Sequence, residues 1–138
     1  MIDLFWQNTR ILKEGHYMKI TYKLGEVESR FADIVWENAP LTSHELVERC
    51  AEALNWKKST TYTVLKKLCV RGFFENVKGT VRVVTTKAEY ESMQSEQFVD
   101  ENFQGSLPAF FAAFIARKSL SKKEADEIRR MIDNAEEK

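Results

Sequence analysis

Between Lys57 and Phe74 the chain reads KKSTTYTVLKKLCVRGFF, a run in which cations, hydroxyls and a phenol are interleaved with apolar residues. Thr61, Val64, Leu65 and Leu68 recur at the three- and four-residue spacing of one helical face. With that face turned to a core, Lys57, Lys58, Ser59, Thr60, Tyr62, Thr63, Lys66 and Lys67 fall on the remaining sides. Ammonium groups neutralise phosphates, hydroxyls donate to phosphate oxygens or meet base edges, and a tyrosine does both and stacks. The amides of a helix start add a positive dipole end where an anion can sit. The chemistry on offer is recognition of a polyanion. The plainer alternative is an amphipathic helix with solvated lysines and Ser/Thr caps.

Charge distribution favours recognition. The 138 residues carry 21 Lys/Arg and 21 Asp/Glu, a formal net charge of zero. Residues 1–55 hold 6 cations and 9 anions, residues 56–87 hold 8 and 1, and residues 88–138 hold 7 and 11. A local charge of +7 between two acidic segments is an electrostatic footprint, because counterion release depends on the cations that meet phosphates and not on the molecular total.

The elements that must position this run are helical, apart from one hairpin. Residues 1–23 show weak periodicity and a second methionine, Met18, and are expected to be an N-terminal extension. From Glu26, the residues Val27, Phe31, Ile34 and Val35 share a helical face that Asn38 and Pro40 bring to an end. The stretch TSHE (Thr42 to Glu45) has capping-box form and opens a second helix striped by Leu46, Val47, Cys50, Ala51 and Leu54. The third helix follows NWKKS and stops near Gly72. FFENV and VRVVT then flank Lys78, Gly79 and Thr80 as a hairpin, with Lys78 and Arg82 as its cations. Three helices and a two-stranded hairpin, in that order, make the winged helix-turn-helix plan, whose third helix enters the DNA major groove. The expected fold is mainly α with a small β-hairpin: a winged helix over residues 24–86, then a helical dimerisation region over 87–138.

The run GEVESRFADIVWENAPLTSHELVERC, continued by WKKSTTYTVLKKLCVRGFFENVKGTVRVVTT, resembles the penicillinase-repressor family of transcriptional regulators (BlaI, MecI and CopY). The similarity extends from about Lys23 to the C-terminus. Its marks are the first helix with Glu28 and Trp36, the TTYTVLKKL recognition helix, and the basic hairpin. The resemblance implies a homodimeric bacterial repressor bound to a palindromic double-stranded DNA operator. By position it implies that Ser59, Thr60, Tyr62, Thr63 and Lys67 face the DNA.

The C-terminal residues fit a dimer on separate grounds. TKAE (Thr86 to Glu89) starts a helix whose apolar residues, Tyr90, Met93, Phe98, Val99 and Phe103, are too sparse for a private core. Leu107, Phe110, Phe111, Phe114 and Ile115 form a dense periodic cluster, and SKKE (Ser121 to Glu124) caps a last helix carrying Ile128 and Ile132. A second copy of the chain is the expected cover. Burying a Phe-sized side chain contributes about 1.5–3 kcal/mol, part of it offset by lost translational and rotational freedom.

Departures from the family bear on the inducing signal. Copper-responsive relatives carry a cysteine-rich tail, and SKKEADEIRRMIDNAEEK has no cysteine. Relatives governed by a membrane sensor are cleaved at an Asn-Phe bond. The matching pair here is Ala113-Phe114, and Asn102-Phe103 lies elsewhere on the helices. A membrane sensor and protease pathway therefore stays an open partner.

Other classes find little support. His16 and His44 are the only histidines, and there is no Gly-rich phosphate loop, nucleophile elbow or HExxH, so no catalytic residue, metal or cofactor is expected. Cys50 and Cys69 lack CxxC spacing and occupy core positions, which suits free thiols in a reducing cytoplasm. No apolar run reaches the roughly 20 residues of a membrane span, and no signal-peptide pattern opens the chain. A winged helix serving only protein interaction is the rival class. It calls for an uncharged or acidic third-helix face.

Overall fold

The computed structural model describes residues 23–136, and the backbone of two short strands before them, β1 (Thr9–Ile11) and β2 (Tyr17–Lys19). These two pair antiparallel with Arg10 opposite Met18. The rest of the expected extension, apart from Lys23, lies outside the described residues.

Helix α1 (Glu26–Asn38) starts where Glu28 accepts the Gly25 amide at 3.0 Å. It buries Phe31, Ala32 and Val35, with Ile34 half-buried. Val27, expected on that face, is instead 51 % exposed in the first turn of the helix. Strand β3 (Leu41–Thr42) leads into α2 (Ser43–Leu54), where the Thr42 hydroxyl accepts the Glu45 amide at 3.0 Å, the first of the two bonds expected of the TSHE motif. Leu46 and Cys50 are buried under α1, and Ala51 faces solvent. Asn55, in the left-handed region at φ 57°, ends α2.

Helix α3 (Lys58–Val70) seals the core with Thr61, Leu65 and Leu68, while Val64 is half-buried. Gly72, at φ 89°, stops it. Strands β4 (Phe74–Val77) and β5 (Thr80–Val83) form the hairpin, with Val77 opposite Thr80. The turn is Lys78-Gly79 alone, both residues at positive φ, which is the backbone that matches hairpin twist. Strand β3 adds a third strand through Leu41 opposite Val81, giving the order β3-β5-β4.

The core is aromatic. Phe31 stacks on Trp56 with centroids 5.7 Å apart, and Trp36 packs on Phe73, Phe74 and Tyr90. Tyr90 belongs to α4 (Lys87–Phe103), which starts with a reciprocal pair of bonds between Thr86 and Glu89. Tyr90 Oη accepts the Leu24 amide at 3.0 Å, and Met93 also lies against this core. The first compact unit consequently runs to Ser95, beyond the boundary expected at Thr86.

The second unit, Glu96–Lys138, holds the end of α4, α5 (Leu107–Ile115) and α6 (Lys122–Ala135). Ser106 caps α5 through the Ala109 amide, and Ser121 with Glu124 makes a full capping box on α6. Phe98, Phe103 and Phe110 pack edge-on or tilted at 5.5–6.2 Å, and Phe114 joins at Phe110. No described residue of α4, α5 or α6 is fully buried.

Candidate nucleic-acid interface

The exposed sides of α3 carry Lys58, Ser59, Thr60, Thr63, Lys66 and Lys67, with Lys57 just ahead at the N-cap. Lys57 is extended and gives no side-chain cap, so the amides of the first turn are not claimed by a side chain. An anion has both those amides and Lys57, Lys58 to approach. Thr63 sits one turn after Ser59 and donates its hydroxyl proton to the Ser59 carbonyl at 2.9 Å.

Tyr62 is half-buried, and its hydroxyl lies 3.2 Å from Ser43 Oγ at the start of α2. The Lys58 ammonium stands 5.9 Å from the Tyr62 ring centroid, a cation–π contact that holds this lysine over the phenol. Ser43 also ties down the hairpin, because its amide donates to the Gly79 carbonyl at 2.8 Å. Helix α3 and the Lys78-Gly79 turn thus converge on one serine. Sequence reasoning missed Ser43, whose only local signal is a position in a capping box.

The cations divide into two sets. Lys67 Nζ lies 2.8 Å from Glu28 Oε2, Arg71 Nη1 lies 3.4 Å from Glu28 Oε1, and Lys87 Nζ lies 2.9 Å from Asp33 Oδ1. Among the described residues Lys57, Lys58, Lys66, Lys78 and Arg82 enter no ion pair, although Arg82 sits across the strands from Glu75. The eight cations expected to make one footprint are therefore five outward-facing charges and three committed to α1. Lys67, expected to meet DNA, is in the committed set. The Lys67 ammonium beside it and the hydrogen bond from the Gly25 amide hold the Glu28 carboxyl below its ordinary range, against the upward push of burial. A raised Lys87 pKa follows from its hydrogen bond to Asp33.

Neither cysteine is poised for chemistry. Cys50 is buried and Cys69 half-buried, and burial pushes both thiols up, away from the reactive thiolate. Among the described residues no group of three His, Cys, Asp or Glu side chains could hold a metal ion, and no helix is long and apolar enough to cross a membrane.

The expected dimerisation residues have two fates. Tyr90 and Met93 are packed inside the first unit, because the first turns of α4 lie on Trp36 and Phe73. The rest remain accessible: Phe98, Leu107, Phe114, Ile115 and Ile132 are exposed, and Phe103, Phe110, Phe111 and Ile128 are partly covered.

Residues 24–134 match the sequence profile described as penicillinase repressor. A penicillinase repressor of Bacillus licheniformis is 22 % identical over 120 residues, covering 84 % of this chain and 94 % of the relative. The methicillin resistance regulatory protein MecI of Staphylococcus aureus strain Mu50 is 20 % identical over 117 residues, covering 82 % and 95 %. MecI of Mammaliicoccus sciuri is 19 % identical over a stretch of the same length.

Proposed function

The chain belongs to the penicillinase repressor family, and from that premise we propose that it is a homodimeric transcriptional repressor. It grips a palindromic operator through α3 and the β4-β5 wing. The carrying observation is the convergence on Ser43: its hydroxyl meets Tyr62 of α3 and its amide meets Gly79 of the wing, so the two DNA-facing elements are braced together. In this reading Ser59, Thr60 and Thr63 meet the major groove beside Tyr62. Lys57, Lys58, Lys66, Lys78 and Arg82 neutralise phosphates.

The exposed Phe98, Leu107, Phe114, Ile115 and Ile132 supply the contact between two copies, partnered by Phe103, Phe110, Phe111 and Ile128. Release from DNA follows a signal that Ala113-Phe114, lacking Asn, does not define. Selection of binding sites from random duplexes tests the proposal. The expected product is a two-fold symmetric site whose half-sites lie about one helical turn, 10–10.5 bp, or a multiple apart. Enrichment of no sequence, with binding insensitive to salt, rejects it and leaves a winged helix that binds protein.

A further inference from the structure

Glu28 lies on α1, outside the surface that meets DNA, yet it holds a cation of the recognition helix. Its Oε2 is 2.8 Å from Lys67 Nζ, while Oε1 takes the Gly25 amide at 3.0 Å and Arg71 Nη1 at 3.4 Å. The two cations are held differently. Arg71 also donates to the Lys23 carbonyl at 3.0 Å and stands over the Phe73 ring at 5.5 Å, which fixes its guanidinium against the fold. Lys67 has a side chain 61 % exposed, and among the described residues Glu28 is its one ion-pair partner. It lies one turn beyond Thr63, next to Lys66, on the outward side of α3.

A lysine on phosphate adds affinity for every sequence alike and carries no sequence information. Withholding one lowers binding to random duplex. It leaves base contacts intact. We infer that Glu28 is a specificity-determining residue: by pairing with Lys67 it keeps that ammonium off the phosphates and widens the ratio of operator to random binding. The inference rests on the DNA-binding reading proposed above.

The test is the slope of log K against log salt for the intact protein, Glu28→Gln, Lys67→Gln and the double variant, on a random duplex and on the selected operator. Glu28→Gln steepens the slope by about 0.9 for each phosphate that Lys67 gains, raises random-duplex affinity at low salt several-fold, and narrows the operator preference. Lys67→Gln keeps the parental slope, and the double variant returns to it. A purely structural role for Glu28 weakens operator binding with no steepening. That result overturns the inference, as does a Lys67→Gln slope shallower by about 0.9 per protomer, which places Lys67 on a phosphate already. If Glu28→Gln does not fold, the Lys67→Gln slope decides alone. Failure of the unaltered protein to bind any duplex defeats the DNA-binding reading itself, and this inference with it.

Discussion

Thr63 shows how much a single side chain's chemistry depends on its helix neighbours. Its hydroxyl proton is given to the Ser59 carbonyl, so toward a base the oxygen accepts, as adenine N6 or cytosine N4 requires, while its methyl can meet thymine. Thr63→Val is thus expected to cost about 1–3 kcal/mol on the selected operator and little on random duplex, with an unchanged circular dichroism spectrum. Equal losses on both duplexes, measured by fluorescence anisotropy, place Thr63 on the backbone instead. Glu28 gives a second residue-scale expectation. Its carboxyl is held below the ordinary 4.5 chiefly by the Lys67 ammonium paired with it. A carboxyl with a lowered folded value stabilises the fold fully above its unfolded value, and that contribution fades as pH falls through the lowered one. The intact protein should lose more urea resistance than Glu28→Gln between neutral pH and the acid side of 4.5, and parallel losses refute the linkage. The outward residues of α3 were legible from helical spacing alone. The capture of Lys67 by Glu28 was not, because the partners are 39 residues apart and nothing local pairs them.

At the scale of elements, the wing is a turn that positions one cation. Lys78 occupies positive φ at 51° beside Gly79 at 82°, and the turn is anchored by the Ser43 amide. Lys78→Gly removes the charge and tolerates the backbone. It should make the salt slope shallower by about 0.9 per protomer, with equal affinity losses on operator and random DNA. A changed base preference in binding-site selection, with the slope intact, shows the wing reading sequence. The hairpin was legible because strand residues flank a glycine turn, though Thr80 falls in β5 and not in the turn. Strand β3 was hidden, since two residues give no alternation and only its pairing with Val81 and Thr80 of β5 defines it. Val27 carried the right period for the α1 face but lies in the helix's first turn and is 51 % exposed.

For the whole molecule, the decisive contrast is between a first unit with a closed aromatic core and a second unit in which no described residue is fully buried. About 40 residues seldom sustain a fold without added support, and in the chain of contacts Phe98–Phe103–Phe110–Phe114 the two outer rings stay 50 % and 48 % exposed. The apolar clustering of this unit was legible in the dense Phe110, Phe111 and Phe114 spacing. The unit boundary was not, because Tyr90 and Met93 look like their neighbours in sequence and differ only in lying against Trp36, Phe73 and the rest of the first core. Truncation after Ser95 should therefore leave a folded monomer, whereas truncation after Thr86 strips the Tyr90 bond to Leu24 and should be less stable. In the proposed dimer each winged helix would cover one half-site, and tethering two copies would make the second contact intramolecular, worth roughly 10²–10⁴-fold in affinity. The Ser95 truncation, and Phe114→Asp, which must desolvate a carboxylate in the contact, should both sediment as monomers and lose about that factor on the full operator. A half-site binds them as it binds the intact chain. Should the intact protein sediment as a monomer at micromolar concentration, or the truncated form grip the full operator equally tightly, the dimeric mechanism is wrong.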